Sequence, residues 1–515
     1  MDPNLGECML VRTKRSFLRS LTAVFALAGV IAGCGGGNNS SNGGAAHPPA
    51  DPGASAAPAS AAEVKKVNFS IVSARPGDEA FYKEQMDLFM KANPDIKVTV
   101  IANPTEQYNN ALQLSFAANE GPDLFFIEGG QPQARTVYDN KWAEPLDSYI
   151  DDAFIARFPE GSFSRTSQTR VNGEIIGVPV RDPRFDKVRP LYYNKAILQQ
   201  YGYSEPPKTH KEFMEMATKI TKEGKGQVYG FAMMGKAPAV FGLSVSGLGS
   251  GLEGGVIGYE GNTIINLKTG QFSSKSAAPV VEMLRQLNAQ KITAPGWENW
   301  DTAQMHQQFA AGRVAMFIGA AWQAEEIRKL NEGMDMGIAA APVPDGGRKG
   351  YRDTPTIAEP RYAMSAQSKV KDAAWKVLDF LGSVEFERAN YEYAKELVLM
   401  PEAMEGIEMS ADMEQIVKVM DETIRMAPAV NTKNQNYDQF SKSISDAMPK
   451  PKIQEVFLKA VVSNEDPAPL AEAYDAKANQ VIDEQIKIAN EAGIEFTRED
   501  LKYPDWDPMQ NYIIE

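Results

Sequence analysis

From Val67 the chain alternates, with Val67, Phe69 and Ile71 set against Asn68 and Ser70, and a period of two predicts a strand. The period then changes to that of a helix. Tyr82, Met86, Phe89 and Met90 share one face, Asn93-Pro94 ends the helix, and Ile96 to Ile101 predicts a second strand. Tyr108, Leu112 and Phe116 mark another helix. After Pro122-Asp123 the run Leu124-Phe125-Phe126-Ile127 is apolar on both faces, as expected of a central parallel strand. Alternating strands and helices predict a wound α/β sheet, and no short repeat suggests a solenoid or a propeller.

The same grammar returns further on. Pro206-Pro207 closes a loop, Thr209 and Glu212 have the spacing of a capping box, and Phe213, Ala217 and Ile220 follow at helical intervals. Asp301 and Gln304 predict a second box, Met305 and Phe309 share a face, and Gly312 ends that helix before the strand Val314 to Ile318. Gly319 then turns the chain into a helix carrying Trp322. A residue just beyond such a strand sits at the carboxyl edge of an open sheet, where α/β proteins hold their ligands. The glycine-rich Gly247-Leu248-Gly249-Ser250-Gly251 lacks the lysine and helix start of a phosphate loop, and reads as a flexible loop of this second unit.

The amino-terminal stretch has a different pattern. Arg12, Lys14, Arg15 and Arg19 precede an apolar run from Leu21 to Ile31, too short for a spanning helix and right for a secretory signal. Asp2 and Glu7 are unusual ahead of such a signal, which leaves Met1 and Met9 as alternative starts. The run ends Val30-Ile31-Ala32-Gly33-Cys34, which resembles the lipobox of bacterial lipoproteins. The resemblance implies cleavage after residue 33, diacylglycerol on Cys34, and a protein anchored by lipid on the extracytoplasmic face of the cell membrane. Residues 34–62 are almost all Gly, Asn, Ser, Ala and Pro, have nothing to bury, and read as a tether that spans roughly 30 Å on average.

Composition narrows the chemistry. The net charge of −14 becomes −16 once residues 1–33, with four basic and two acidic side chains, are removed, and such acidity disfavours nucleic acid. The one other cysteine, Cys8, lies in the removed segment, so no internal disulfide or thiolate metal site is expected, and no cofactor. His47, His210 and His306 are scattered, His-Glu-x-x-His and Gly-x-Ser-x-Gly are absent, and the chain is not read as an enzyme. Paired carboxylates for glycoside hydrolysis could still hide among the acidic residues, because spacing in sequence does not reveal spacing in the fold.

Seven pieces in order carry a wider resemblance. They are the stretch ending Phe89-Met90-Lys91-Ala92-Asn93-Pro94-Asp95-Ile96-Lys97-Val98; Gly121-Pro122-Asp123-Leu124-Phe125; Trp142-Ala143-Glu144-Pro145-Leu146; Gly177-Val178-Pro179; Leu191-Tyr192-Tyr193-Asn194-Lys195; Pro207-Lys208-Thr209; and Phe309 to Gly319. From about Val67 to about Ile482 the chain resembles the family 1 extracellular solute-binding proteins, the carbohydrate receptors of ABC importers. The resemblance implies an α/β, two-lobe periplasmic-binding-protein-like fold of type II, hinged between lobes. Residues 66–179 with 343–400 would form lobe 1, and 180–342 with 401–515 lobe 2, with joints near Pro179 and the Pro342-Val343-Pro344 run. The stretch from Phe496 exceeds the family's common length and acquires no role from it.

Sugars present hydroxyl edges and apolar faces, so a receptor needs aromatic platforms and planar charged partners. Trp322 matches the family's stacking tryptophan in position. Glu128 and Gln131 follow the buried strand and emerge over its carboxyl end, although Ile127 replaces a stacking tryptophan of the maltose receptor and makes maltodextrin a doubtful ligand. By resemblance Arg75 and Asp78, after the first strand, and Asp182, Arg184 and Phe185, in the crossing, line the cleft. Glu359, Arg361, Phe241 and Tyr437 match it more loosely. The reading is of a monomer that captures a carbohydrate, an oligosaccharide in the first instance, and delivers it to the transmembrane subunits of an ABC permease. The alternatives are a sugar receptor for a membrane sensor and a surface polysaccharide hydrolase.

Overall fold

The computed structural model describes residues 63–512 except 76, 128–133, 166, 253–263 and 355. Cys34, the tether, Glu128 and Gln131 therefore lie outside the described residues. The alternating stretch is β1 (Lys65–Ser73), parallel to β2 (Ile96–Pro104) from Lys65 opposite Ile96 to Ser73 opposite Pro104. The helix between them, Asp78–Ala92, buries Phe81, Tyr82, Met86 and Phe89 and ends at Asn93. β3 (Leu124–Phe126) is fully buried and lies parallel to β1. A hairpin of β4 (Arg170–Val171) and β5 (Glu174–Ile175) leads to β6 (Val178–Pro179).

The chain then builds a second sheet with β7 (Leu191–Asn194) and β8 (Tyr229–Phe231). A small ladder of β9 (Ile265–Asn266) and β10 (Gln271–Phe272) intervenes before β11 (Val314–Ile318) and β12 (Met336–Ala339). β13 (Arg352–Thr354) precedes β14 (Pro360–Met364), and β15 (Ile424–Met426) pairs in parallel with β13. The orders are β2-β1-β3-β14-β6 and β12-β7-β11-β8.

Both sheets are mixed, which departs from the all-parallel surroundings expected for β3. β14 runs antiparallel to β3 and β6, and β7 antiparallel to β11 and β12. The reason lies in connectivity. A parallel neighbour needs a crossover within its own sheet, whereas β14 arrives from the second sheet and is free to enter from the opposite edge.

Both predicted capping boxes form, at Thr209 with Glu212 and at Asp301 with Gln304. The helix His210–Gly224 lies so close to β8 that a Cβ on Gly230 would stand 2.2 Å from the Ala217 carbonyl oxygen. The glycine-rich segment 247–251 is not the flexible loop its composition suggests. It is buried throughout at the end of the helix Pro238–Leu248, and a Cβ on Gly247 would meet Ile318 Cγ2 at 2.5 Å. Its small residues let a helix end sit on β11.

One apolar cluster runs without a break from the first sheet through Val180, Phe185 and Val188 to Tyr192 and Phe317 of the second. The opposite face of the second sheet holds another, with Phe213, Phe241, Phe457 and Phe496. The stretch after Phe496 thus acquires a place. Leu501, Tyr503 and Trp506 are buried in that second core, and Tyr503 N–H donates to the Leu267 carbonyl at 2.6 Å.

Two segments between the sheets lie side by side. Asp182 N–H donates to Leu397 O at 3.0 Å, Leu399 N–H to Val180 O at 2.7 Å, and Arg181 bridges antiparallel to Val398. Val343, by contrast, is strapped to the start of the helix His210–Gly224, donating to Lys208 O at 3.0 Å and accepting from His210 N–H at 2.8 Å.

Candidate functional site

The strand registers place the ends of the first sheet. Because Pro360 pairs with Pro179, and Tyr362 with both Val178 and Phe126, the carboxyl ends of β3 and β6 coincide with the amino end of β14. β1 runs the same way as β3, so Arg75 follows at that edge too. In the second sheet Ile318 pairs with Leu191, which puts the carboxyl end of β11 beside the amino end of β7. Only residues 180–190 separate β6 from β7, and they carry both edges on one apolar bridge. The two carboxyl edges are therefore neighbours.

Trp322 stands at the second of these edges as the residue before the helix Gln323–Leu330. The five residues of β11 are buried, yet Trp322 is 44% exposed. Its ring meets the edge of the His306 imidazole, centroids 6.0 Å apart at 72°. Burial pushes His306 down to about 4, against an opposing pull from Glu326, so the imidazole beside Trp322 is neutral at pH 7. Next in the chain, the Gln323 carboxamide oxygen accepts from Ala320 N–H at 3.1 Å. Its Nε2, like His306 Nε2, is buried without a hydrogen-bond partner among the described residues.

The first edge is polar and organised around Glu396. Its carboxylate takes Arg181 at 2.9 Å and Arg75 at 3.4 Å, and Arg181 also holds Asp186 at 2.6 Å. Burial alone would push the Glu396 carboxyl up, but Arg181, Arg75 and Arg361 together bring it below its ordinary value. Asp78 is committed to the backbone turn. Its Oδ2 accepts from the N–H groups of Ala74 and Arg75, each at 2.8 Å, and its Oδ1 accepts from the Tyr393 hydroxyl at 2.9 Å. Burial and that bond push Tyr393 up to about 12. Arg361 places its guanidinium 5.0 Å from the centre of the Phe126 ring, and Glu359 is half-buried just before β14.

Asp182 caps the helix Pro183–Lys187, accepting from Arg184 N–H at 2.9 Å, and its carboxylate pairs with the Arg184 guanidinium at 2.7 Å. Arg184 also reaches Asp421 at 3.1 Å; burial opposes its charge, and the two carboxylates more than restore it. Phe185 and Phe241 are core residues, 2% and 0% exposed, with Phe241 against the Trp297 ring. Tyr437 opens the helix Tyr437–Ala447 with its ring 6.2 Å from Phe496. A cavity of about 600 Å³ opens between the β4–β5 hairpin and Asn431, Thr432 and Gln435, and none of the expected ligand residues that are described lines it.

Residues 73–386 match the family described as bacterial extracellular solute-binding protein. The chain belongs to that family. It is a solute-binding protein and not an enzyme. It is 27% identical over 330 residues to a binding protein of Brucella abortus, covering 63% of this chain and 73% of the relative. It is 22% identical over 378 residues to the melibiose/raffinose/stachyose-binding protein of Bacillus subtilis, covering 68% of this chain and 83% of that one. Among solved structures, apo RafE of Streptococcus pneumoniae superposes with a TM-score of 0.60 at 16% identity, covering 82% of this chain and 99% of its own. The sugar-binding protein MalE of Xanthomonas citri gives 0.59 at 18%, covering 83% and 99%. The fold is thus the mixed α/β, two-lobe fold of periplasmic binding proteins.

In this solute-binding protein the expected residues fall into groups. Arg75 and Arg361 act on Glu396 at the edge of the first sheet, with Asp78 beside Arg75, Glu359 just before β14, and Asp182 paired with Arg184 just after β6. Trp322 stands alone of its set at the edge of the second; Phe185 and Phe241 are buried in the core, and half-buried Tyr437 packs against Phe496. Sequence reasoning missed Arg181, Glu396 and the neighbours of Trp322. Arg181 was legible, since it lies between β6 and the predicted Asp182. Glu396 was not, because its ion-pair partners Arg181 and Arg75 are 215 and more positions away and only folding brings them near. Among the described residues no group of three or more His, Cys, Asp or Glu could hold a metal, and no helix is long and apolar enough to cross a membrane.

Proposed function

We propose that this protein captures a carbohydrate, an oligosaccharide in the first instance, in the cleft between its lobes and delivers it to the transmembrane subunits of an ABC importer. Trp322 carries the reading. An indole left 44% exposed at the carboxyl end of a fully buried strand leaves a large apolar surface in water, and an apolar sugar face is a partner for such a surface. Arginines and carboxylates at the facing edge supply hydroxyl partners. The sugar-binding relatives support the choice of ligand class, and the Val30-Ile31-Ala32-Gly33-Cys34 run supports a lipid anchor that holds the protein on the extracytoplasmic face of the membrane.

A melting-temperature screen of the full chain against mono- and oligosaccharides tests the proposal. A ligand that binds only the folded state at a hundred times its Kd adds about 2.7 kcal/mol, so a saccharide of the right class raises the midpoint clearly. If no mono- or oligosaccharide shifts it while amino acids or peptides do, the carbohydrate reading is wrong.

A further inference from the structure

The cavity of about 600 Å³ is of ligand size. One wall includes Arg135, Arg165, Arg170 and Asn172; the other is Asn431, Thr432 and Gln435. The second wall is tied to the carboxy-terminal stretch, since Tyr503 donates to Ala429 O at 3.0 Å and Asn434 Nδ2 to Glu495 O at 2.9 Å. Arg135 spans the gap, its Nη1 donating to Gln435 O at 3.1 Å.

Among the described residues the lining holds three arginines, with amides and hydroxyls, and no carboxylate. Arg135 is fixed by Asp139 at 2.9 Å and Arg170 by Asp147 at 2.8 Å, two half-exposed carboxylates that stand outside the cavity. Arg165 is exposed and has no ion pair among the described residues. A chain of net charge −14 repels anions at long range. A concave patch whose described charged side chains are all cationic, one of them without an ion pair, can attract an anion locally in spite of that net charge, and planar guanidinium forks match carboxylate geometry.

We propose that this cavity is a saccharide subsite of its own, which receives the carboxylate of a uronate-containing oligosaccharide. The inference rests on the carbohydrate reading and refines it. Arg165 supplies the unneutralised charge, while Arg135 links the two walls and both it and Arg170 offer donors to hydroxyls.

Titration calorimetry of the full chain tests it, using galacturonate, mannuronate and guluronate trisaccharides, each beside its carboxyl-reduced neutral counterpart. One uronate should bind at least about tenfold more tightly than its neutral partner. The preference should weaken with added salt, fall in Arg165→Gln and survive in part in Arg165→Lys. Equal binding of a uronate and its neutral partner, or a preference unaltered in Arg165→Gln, overturns the inference and leaves the carbohydrate reading standing. Binding of glucose 6-phosphate without any uronate overturns the choice of carboxylate. If no saccharide of either kind binds, the carbohydrate reading itself has failed.

Discussion

Trp322 and Phe241 are both large aromatics expected at the site, and their surroundings assign them opposite tests. Trp322 is 44% exposed, so Trp322→Ala should raise the Kd for a bound saccharide at least tenfold, about 1.4 kcal/mol, with little change in melting temperature. Phe241 is fully buried, so Phe241→Ala should cost about 3–5 kcal/mol of stability. Normal binding with early unfolding in Trp322→Ala would make that residue mere packing. His306 adds a pH dependence with a definite sign. Burial holds its folded-state pKa at about 4, below the ~6.5 of an unfolded chain. Its contribution is complete above about pH 6.5 and is lost as the pH falls toward 4, because the unfolded chain takes up a proton that the native state refuses. His306→Phe should therefore lose less stability than the wild type between pH 7 and pH 4. Parallel melting curves for the two proteins across that range would remove the argument.

At the scale of elements, close approach decides more than propensity. β8 and the helix His210–Gly224 touch through Gly230, where any Cβ meets the Ala217 backbone. Gly230→Ala should destabilise the protein by about 1–3 kcal/mol or more, visible as an earlier urea midpoint, while Gly333→Ala serves as a comparison because nothing lies within 4 Å of its Cβ position and its backbone is not in the positive-φ region. Equal midpoints for the two variants would show that the helix moves away without cost. Periodicity predicted that helix, its capping box and its buried face of Phe213, Ala217 and Ile220. It could not predict that Gly247 to Gly251 would be buried, since glycine-rich composition is shared by flexible loops and by helix ends packed against a strand, and only the neighbour, Ile318, distinguishes them.

For the whole molecule, we propose the paired segments 180–182 and 397–399 as the joint between the lobes. Their antiparallel hydrogen bonds can bend without separating, and the Arg181–Glu396 pair spans them. If ligand draws the lobes together, small-angle scattering at saturation should give a smaller radius of gyration than the empty protein. An unchanged radius would exclude closure while leaving binding intact. Anchoring is tested apart from the fold, by following Cys34→Ala through cell fractionation. Release from the membrane fraction is expected, and full retention would rule out the lipid.

The sequence by itself determined β1, β2, β3 and β11 and the helices beside them, because helix and strand periods, capping boxes and the run at Leu124 to Phe126 are local properties of consecutive residues. It also placed Trp322 at the end of β11, since that residue follows a recognisable strand, whereas Asp182 was placed after Gly177-Val178-Pro179 by family resemblance. Tertiary structure alone decided which side chains stay exposed, so that Phe241 went to the core and Trp322 to the edge. It alone assembled Arg75, Arg181 and Glu396, and set Arg135, Arg165 and Arg170 opposite Asn431 and Gln435. Those groupings join positions hundreds of residues apart, and the pairing energy that selects them exists only after the apolar bridge between the two sheets has brought their edges together.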